Sequence, residues 1–195
     1  MDIQTLDTYN KDVESIGELH KKLLPERLYE LANIYFYPNS KTLDLGCGIG
    51  RDTHWLNQNG FNAIGVDGSL EMLHFASLHY PETTYIHDYL PELKNTINHE
   101  FTNIFCSAVL MHLSPENIQK ACEKIVSLLG EKACILISYR DTTQPDYREN
   151  GKLYTPIDTR WMCSLFTDNG FDVVINETTV DDARGLNWTN LVFKK

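Results

Sequence analysis

The 195-residue chain has no run of 18 or more apolar residues, which excludes a membrane-spanning helix on hydropathy. It has no basic excess either: 17 Lys and Arg face 27 Asp and Glu, for a formal charge of -10. Neutralising phosphates takes clustered Lys and Arg. The only tight basic clusters, His20-Lys21-Lys22 and Lys194-Lys195, read as solvated surface. Neither nucleic acid nor membrane is an expected partner. The five cysteines, Cys47, Cys106, Cys122, Cys134 and Cys163, include no CxxC pair and no Cys/His ligand spacing. No metal site is expected, and the pattern fits reduced thiols in the cytoplasm better than a disulfide framework. The first residues, Met1 to Asp7, show no basic region before an apolar run, so no secretory leader is expected. Repeats and low-complexity linkers are also missing.

What is there is ordinary globular composition, 42% hydrophobic and 23% charged. A chain of this length buries roughly 70% of its unfolded surface, so one domain over 1–195 is expected. Residues 1–38 read as helices, with Leu19, Leu23, Leu28, Leu31 and Ile34 as packing residues. From there on, strands alternate with helices. Thr42–Leu45, Asn62–Val66, Thr83–Ile86, Phe101–Val109 and Ala133–Tyr139 read as strands, and Val173–Ile175 and Leu191–Phe193 as the last two. Ser69 and Ser114-Pro115 look like helix starts, and Asn59-Gly60, Gly130 and Asn169-Gly170 like helix stops. Asp141–Leu153, broken by Pro145 and Gly151, reads as a long loop, either functional or merely solvated. The short final connection predicts an antiparallel last strand. The fold class is α/β: a seven-strand, mostly parallel Rossmann-like sheet with helices on both faces.

The strongest motif is Leu43-Asp44-Leu45-Gly46-Cys47-Gly48-Ile49-Gly50, with Asp67 closing the next strand. Ligands of open α/β sheets sit outside the carboxyl ends of the strands, where glycines let the backbone approach them. An acid about 20 residues on can accept from both ribose hydroxyls, and Asp67 lies 21 positions after Gly46. The dinucleotide fingerprint needs a third glycine where Arg51 stands, and Asp44 would repel a pyrophosphate. A carboxylate there suits a ligand with an ammonium and no phosphate, which is the form of S-adenosylmethionine.

At these residues the chain resembles the class I S-adenosylmethionine-dependent methyltransferases. Val66-Asp67-Gly68-Ser69 with Met72-Leu73 is similar to the family's second motif, His87-Asp88-Tyr89-Leu90 to its adenine-contacting acid, and Phe105–Leu113 to its fourth-strand motif. The resemblance implies the family's seven-strand fold. It also implies that Asp44 and Gly46, Cys47, Gly48 and Gly50 hold the methionine portion, with Ser107 and Ala108 lining that side. Asp67, beside Gly68, would take the ribose, Met72 would pack on the adenine, and Asp88, beside Tyr89, would face the adenine amino group. A narrower resemblance, through Gly50-Arg51-Asp52, Cys106–His112 and Asp182–Leu191, is to a small bacterial subgroup of undefined substrate. That subgroup has Pro-Gly where this chain has Leu129-Gly130.

Several residues have a bland alternative. Arg51 could close an ion pair over the cofactor or be structural. Asp88 could be a cap, and Met72 could be core. His112, beside the expected transfer position, could be a general base or could orient a loop. Methyl transfer to a good nucleophile can proceed by near-attack positioning alone. On the acceptor side, Arg140, Arg184 and Trp188 suit an anionic small molecule, unless the arginines pair with Asp141, Asp181 or Asp182. Tyr9 would be a lid or pack on the sheet. Cys47 and Cys106 have nothing nearby that lowers a thiol pKa. The resulting expectation is a methyltransferase acting on a small-molecule acceptor. A non-catalytic S-adenosylmethionine-binding regulator and, less favoured, a nicotinamide-dependent oxidoreductase stand beside it.

Overall fold

A computed structural model describes residues 2–96, 100–181 and 184–195. Three helices lead the chain, α1 (Ile3–Lys11), α2 (Val13–Lys22) and α3 (Glu26–Tyr35). An alternating core follows: β1 (Lys41–Leu45), α4 (Arg51–Gln58), β2 (Asn62–Asp67), α5 (Leu70–His79), β3 (Thr84–His87) and β4 (Phe101–Ser107). Next come a 3-10 turn at Leu110–His112, α6 (Pro115–Ser127), β5 (Leu129–Arg140), β6 (Tyr147–Glu149) and β7 (Lys152–Tyr154). The chain ends with α7 (Thr159–Thr167), β8 (Asp172–Asp181) and β9 (Leu186–Lys194).

Seven strands form one sheet in the order β3-β2-β1-β4-β5-β9-β8, and β6 pairs only with β7. Five strands pair in parallel, and β9 runs antiparallel to both β5 and β8. The order reverses between β1 and β4, which makes the gap beyond their carboxyl ends the natural ligand crevice. The strands' period of two divides the core between the two faces. Leu43, Leu45, Ile104, Cys106, Ile135 and Ile137 pack with Ile118 and Ile125 of α6 and Phe166 of α7. Phe105, Cys134, Leu136 and Val192 face Leu31 of α3 and Leu56 of α4. Each large apolar side chain buried this way contributes about 1.5–3 kcal/mol. The helix starts are capped as the sequence suggests: Ser69 Oγ accepts from Met72 N at 3.1 Å, and Ser114 Oγ from Asn117 N at 3.4 Å.

Four expectations change. Gly130 lies inside β5 and does not stop α6, which ends at Ser127 with Leu128 as its C-cap. Asp141–Leu153 is not a plain loop, because the β6–β7 hairpin folds out of it. The last hairpin is much longer than two apolar triplets, since cross-strand pairing carries polar residues out to Asp181–Leu186. Leu19 and Ile34 are exposed, while Leu28 and Leu31 are buried as expected, joined by Ile16, Gly17, Tyr29 and Ala32.

Candidate functional site

A cavity of about 890 Å³ opens above the carboxyl ends of β1, β2 and β4, within the about 300–1,000 Å³ typical of small-molecule sites. Its floor is the turn after β1. Gly46 N and Cys47 N both donate to Val66 O, at 2.7 and 3.0 Å, which pins the turn to the end of β2. Gly46 has φ +74, and a Cβ there would lie 2.3 Å from a methyl of Val109. Gly48 has φ +50 and open space where its Cβ would be, so its backbone faces the cavity bare.

Asp67 stands beside this turn. Its Oδ2 accepts from Gly48 N and its Oδ1 from Ser69 N, both at 2.8 Å. Burial raises its pKa, and these amides pull it back down. A carboxylate has about four lone-pair sites. Two are used, leaving one on each oxygen for a vicinal diol.

Asp88, one strand further out, differs. It accepts from the amides of Tyr89, Lys94, Asn95 and Thr96 and from the Thr96 hydroxyl, all at 2.7–3.0 Å. Five donors surround this carboxylate, which fits the alternative of a cap, and Asp88 also lines the cavity. Tyr89 is 40% exposed and off the wall.

Asp44 is also off the wall. It is buried in β1, accepts from Thr53 Oγ1 at 2.5 Å, and is held well above the usual carboxylate range by burial and by Asp52. Gly50 is likewise off the wall, at the start of α4. Cys47, Gly68, Met72, Ser107 and Ala108 all line the cavity, and Met72 is also part of a small core with Ile16, Ile49 and Phe75. Burial pushes the thiols of Cys47 and Cys106 up, against any role as thiolates.

Arg51 takes the structural alternative. Its Nε and one terminal nitrogen grip Asp52 at 2.7 and 2.8 Å, and the other donates to His20 O at 2.7 Å and Leu23 O at 2.5 Å. Tyr29 Oη donates to Asp52 at 2.5 Å. Arg51 thus ties the α2–α3 connection, which also lines the cavity, to the start of α4.

The other end of the cavity brings together Tyr9, His112, Arg140, Arg184 and Trp188. His112 ends the 3-10 turn, with Nδ1 2.5 Å from Leu153 O. A carbonyl only accepts, so Nδ1 carries the proton and Nε2 presents a lone pair, 3.4 Å from Tyr9 Oη. Burial pushes the His112 pKa down to about 4, so the ring is neutral at neutral pH. The Tyr9 hydroxyl is pushed up by burial and stays protonated. Both arginines have their own carboxylates. Arg140 pairs with Glu149, and Arg184 Nε with Asp181 at 2.5 Å while its guanidinium lies 5.9 Å from the Trp188 ring. Asp141 instead accepts from Thr189, and Asp182 lies outside the described residues. Sequence reasoning missed the hairpin's own contribution to this wall, Glu149, Lys152 and Tyr154. The only signal was the length of the segment.

A family profile described as a methyltransferase domain matches residues 42–132, from β1 into the start of β5. Residues 42–132 thus resemble a methyltransferase domain, set in a Rossmann-like α/β fold. An uncharacterized methyltransferase of Synechocystis is 32% identical over 96 residues, 48% of this chain and 45% of that one. A ubiquinone biosynthesis O-methyltransferase of Dechloromonas aromatica is 32% identical over 47% of this chain and 41% of its own. The matched stretch therefore spans less than half of these methyltransferases. The fold match is fuller. A Burkholderia thailandensis 1,6-didemethyltoxoflavin-N1-methyltransferase, solved with S-adenosylhomocysteine, superposes with a TM-score of 0.75 at 17% identity, over 99% of this chain and 88% of that one. A [4+2]-cyclase superposes at 0.70 with 15% identity, over 87% and 80%, so the methyltransferase fold alone does not fix the reaction.

Proposed function

We propose that the protein is an enzyme that transfers a methyl group from S-adenosylmethionine to a small-molecule acceptor. The observation that carries this reading is the half-used Asp67 carboxylate beside the bare backbone of Gly48. This fits a ribose diol next to a close-lying chain, where a saturated acid or a Cβ would not. On this reading Asp67 holds the ribose, the Gly46–Gly48 turn and Ser107–Ala108 line the methionine side, and Met72 packs on the adenine. S-adenosylmethionine, when bound, supplies a methyl group on a positively charged sulfur.

The chain's own part is largely positional, since holding two reactants in near-attack geometry removes much of such a barrier. His112 offers its Nε2 lone pair to the acceptor's O–H or N–H proton, with Leu153 O holding the ring in the required tautomer. Tyr9, on α1, covers this position and is displaced or re-aimed as the acceptor enters. A cavity of about 890 Å³ supports a small acceptor in preference to a macromolecule. We read residues 1–38 as a lid segment on a core of 39–195, one domain in all. Four of five cysteines are buried and all five are free, which supports a cytoplasmic setting. Among the described residues no helix is long and apolar enough to cross a membrane.

Thermal unfolding tests the donor site. S-adenosylhomocysteine at about 100 times its Kd should stabilise the fold by about 2.7 kcal/mol, a rise of roughly 5 to 10 °C for a chain this size. NAD should give none. A shift with NAD alone would sink the reading.

A further inference from the structure

The cations on the cavity wall are treated unequally. Arg27 pairs with Glu177 and Glu30, Arg51 with Asp52, Arg140 with Glu149 and Arg184 with Asp181. Lys152 alone has no such partner: its ammonium makes no ion pair or hydrogen bond to a described residue. It stands 4.5 Å from the centre of the Tyr9 ring, and Asp12 and Glu149 reach it only through longer-range attraction. It is not an exposed, freely hydrated lysine, since the hairpin and α1 enclose most of it and burial lowers its pKa. Its neighbours on the wall do not add positive charge, because His20 and His112 are both pushed down to about 4 and are neutral. A half-buried ammonium without a counter-ion is costly to a fold unless a ligand supplies the anion. In a chain of formal charge -10, carboxylates were not scarce.

We propose that Lys152 selects the acceptor, which is a compact organic acid. Its carboxylate pairs with the Lys152 ammonium, and its apolar body lies against Tyr154, two residues along the same face of β7. The anion then sits beside Tyr9, whose hydroxyl meets the His112 lone pair, so one contact fixes both the charge and the approach of the reacting group. The two arginines that the sequence marks for this task are neutralised by their own carboxylates. This proposal rests on the methyltransferase reading of the same cavity. The carboxylate of the donor's amino-acid tail is the competing source of the same chemistry.

The test separates them. Wild type, Lys152→Met and Lys152→Arg are first titrated with S-adenosylhomocysteine. Each is then saturated with it and titrated with hydroxybenzoates and aminobenzoates beside their amides, at up to millimolar concentration. The wild type should bind acids about tenfold more tightly than the matching amides, as a charge-assisted pair gives. K152M should lose that preference, K152R should keep it, and all three should bind S-adenosylhomocysteine alike. K152M without ligand should melt at or above the wild type, because it keeps the apolar stem and loses an unpaired charge. Equal binding of acids and amides overturns the proposal, and so does the absence of acid binding in a protein that binds S-adenosylhomocysteine. Weakened S-adenosylhomocysteine binding in K152M also overturns it, by assigning the lysine to the donor. Failure of the wild type to bind S-adenosylhomocysteine removes the donor site itself, a separate and visible result.

Discussion

At the glycine-turn end of the cavity the wall comes from residues next to strand ends, Gly46 and Gly48 after β1, Asp67 at the end of β2 and Ser107 at the end of β4. At the other end it comes from α1, the β6–β7 hairpin and the tip of the β8–β9 hairpin. Those segments are far apart in sequence and meet only through contacts such as Leu153 N to Thr5 Oγ1 at 2.9 Å and Arg148 to Asp2 at 2.8 and 3.0 Å. The first end is held by the parallel sheet and can change little without losing the fold. The second is an assembly of additions that can vary while the sheet persists. On the proposed reading, donor recognition and acceptor choice fall on parts of the molecule with different tolerance for change.

The largest effects are expected at the two strand-end acids, Asp67 and Asp88. Asp67→Ala removes two oxygens with free lone pairs, so S-adenosylhomocysteine affinity should fall at least about 100-fold, about 3 kcal/mol by calorimetry. Asp88→Ala orphans five donors in a turn that is otherwise ordered around one carboxylate, so its loss should appear as stability, about 3 kcal/mol in denaturant unfolding. If Asp88→Ala abolished ligand binding in a protein as stable as wild type, the assignment of the two acids would be reversed.

The buried histidine of the second end gives a pH signature. The His112 pKa is lowered from 6.5 to about 4 in the folded protein. Between those values the unfolded chain holds a proton that the folded one does not, so stability falls with falling pH. The loss begins near pH 6.5 and reaches about 3 kcal/mol near pH 4, at 1.36 kcal/mol per unit. His20, also lowered to about 4, adds in the same direction. Denaturant unfolding of His112→Gln should show a shallower loss over this window. An identical slope would mean that water reaches the ring.

Legibility in the sequence follows the same division. The central strands β4 and β5 are readable because parallel strands buried on both faces are largely apolar runs, and the glycine turn and Asp67 because they are local in sequence. Ala133–Tyr139 was too short, since Leu129 and Gly130 look like a helix end until β4 is seen pairing with Leu129 through Phe101. Asp44 and Asp88 occupy motif positions, but how many of their lone pairs are free depends on hydroxyls and amides placed by folding. The sequence offers Asp141, Asp181 and Asp182 as pairing partners for Arg140 and Arg184. Arg140 pairs with Glu149 because the hairpin folds back over β5, and no local pattern encodes that return. Lys152 was invisible for the same reason, one lysine in a polar stretch.

Arg51 joins the two halves, and a smaller effect is expected there. Arg51→Met removes the grip on His20 O and Leu23 O and leaves Asp52 with only the Tyr29 hydroxyl. The Arg51 and Asp52 side chains are 17% and 12% exposed, so partial screening sets the loss at about 2 kcal/mol. Amide exchange should rise in α2 and the α2–α3 connection before it rises in β1 or β4. A uniform rise across the sheet would show that the connection is not separately latched.

The least effect belongs to the hairpin tip. Arg184 and Asp181 are three residues apart on a turn, with side chains 42% and 22% exposed, and pairs of this kind contribute about 0.5 kcal/mol or less. Arg184→Ala should therefore leave stability within that margin. If Arg184 is as neutralised as its pairing indicates, the variant should also leave the acid-over-amide preference of the wild type intact. Asp181→Asn makes the comparison discriminating. It frees Arg184 beside Trp188 and should strengthen acid binding a few-fold, with a steeper decline as salt is added, because a second unpaired cation would then face the same cavity. A preference that collapses in Arg184→Ala would move acceptor selection from β7 to the β8–β9 tip and make the arginine pair, not the lysine, the working charge of that end.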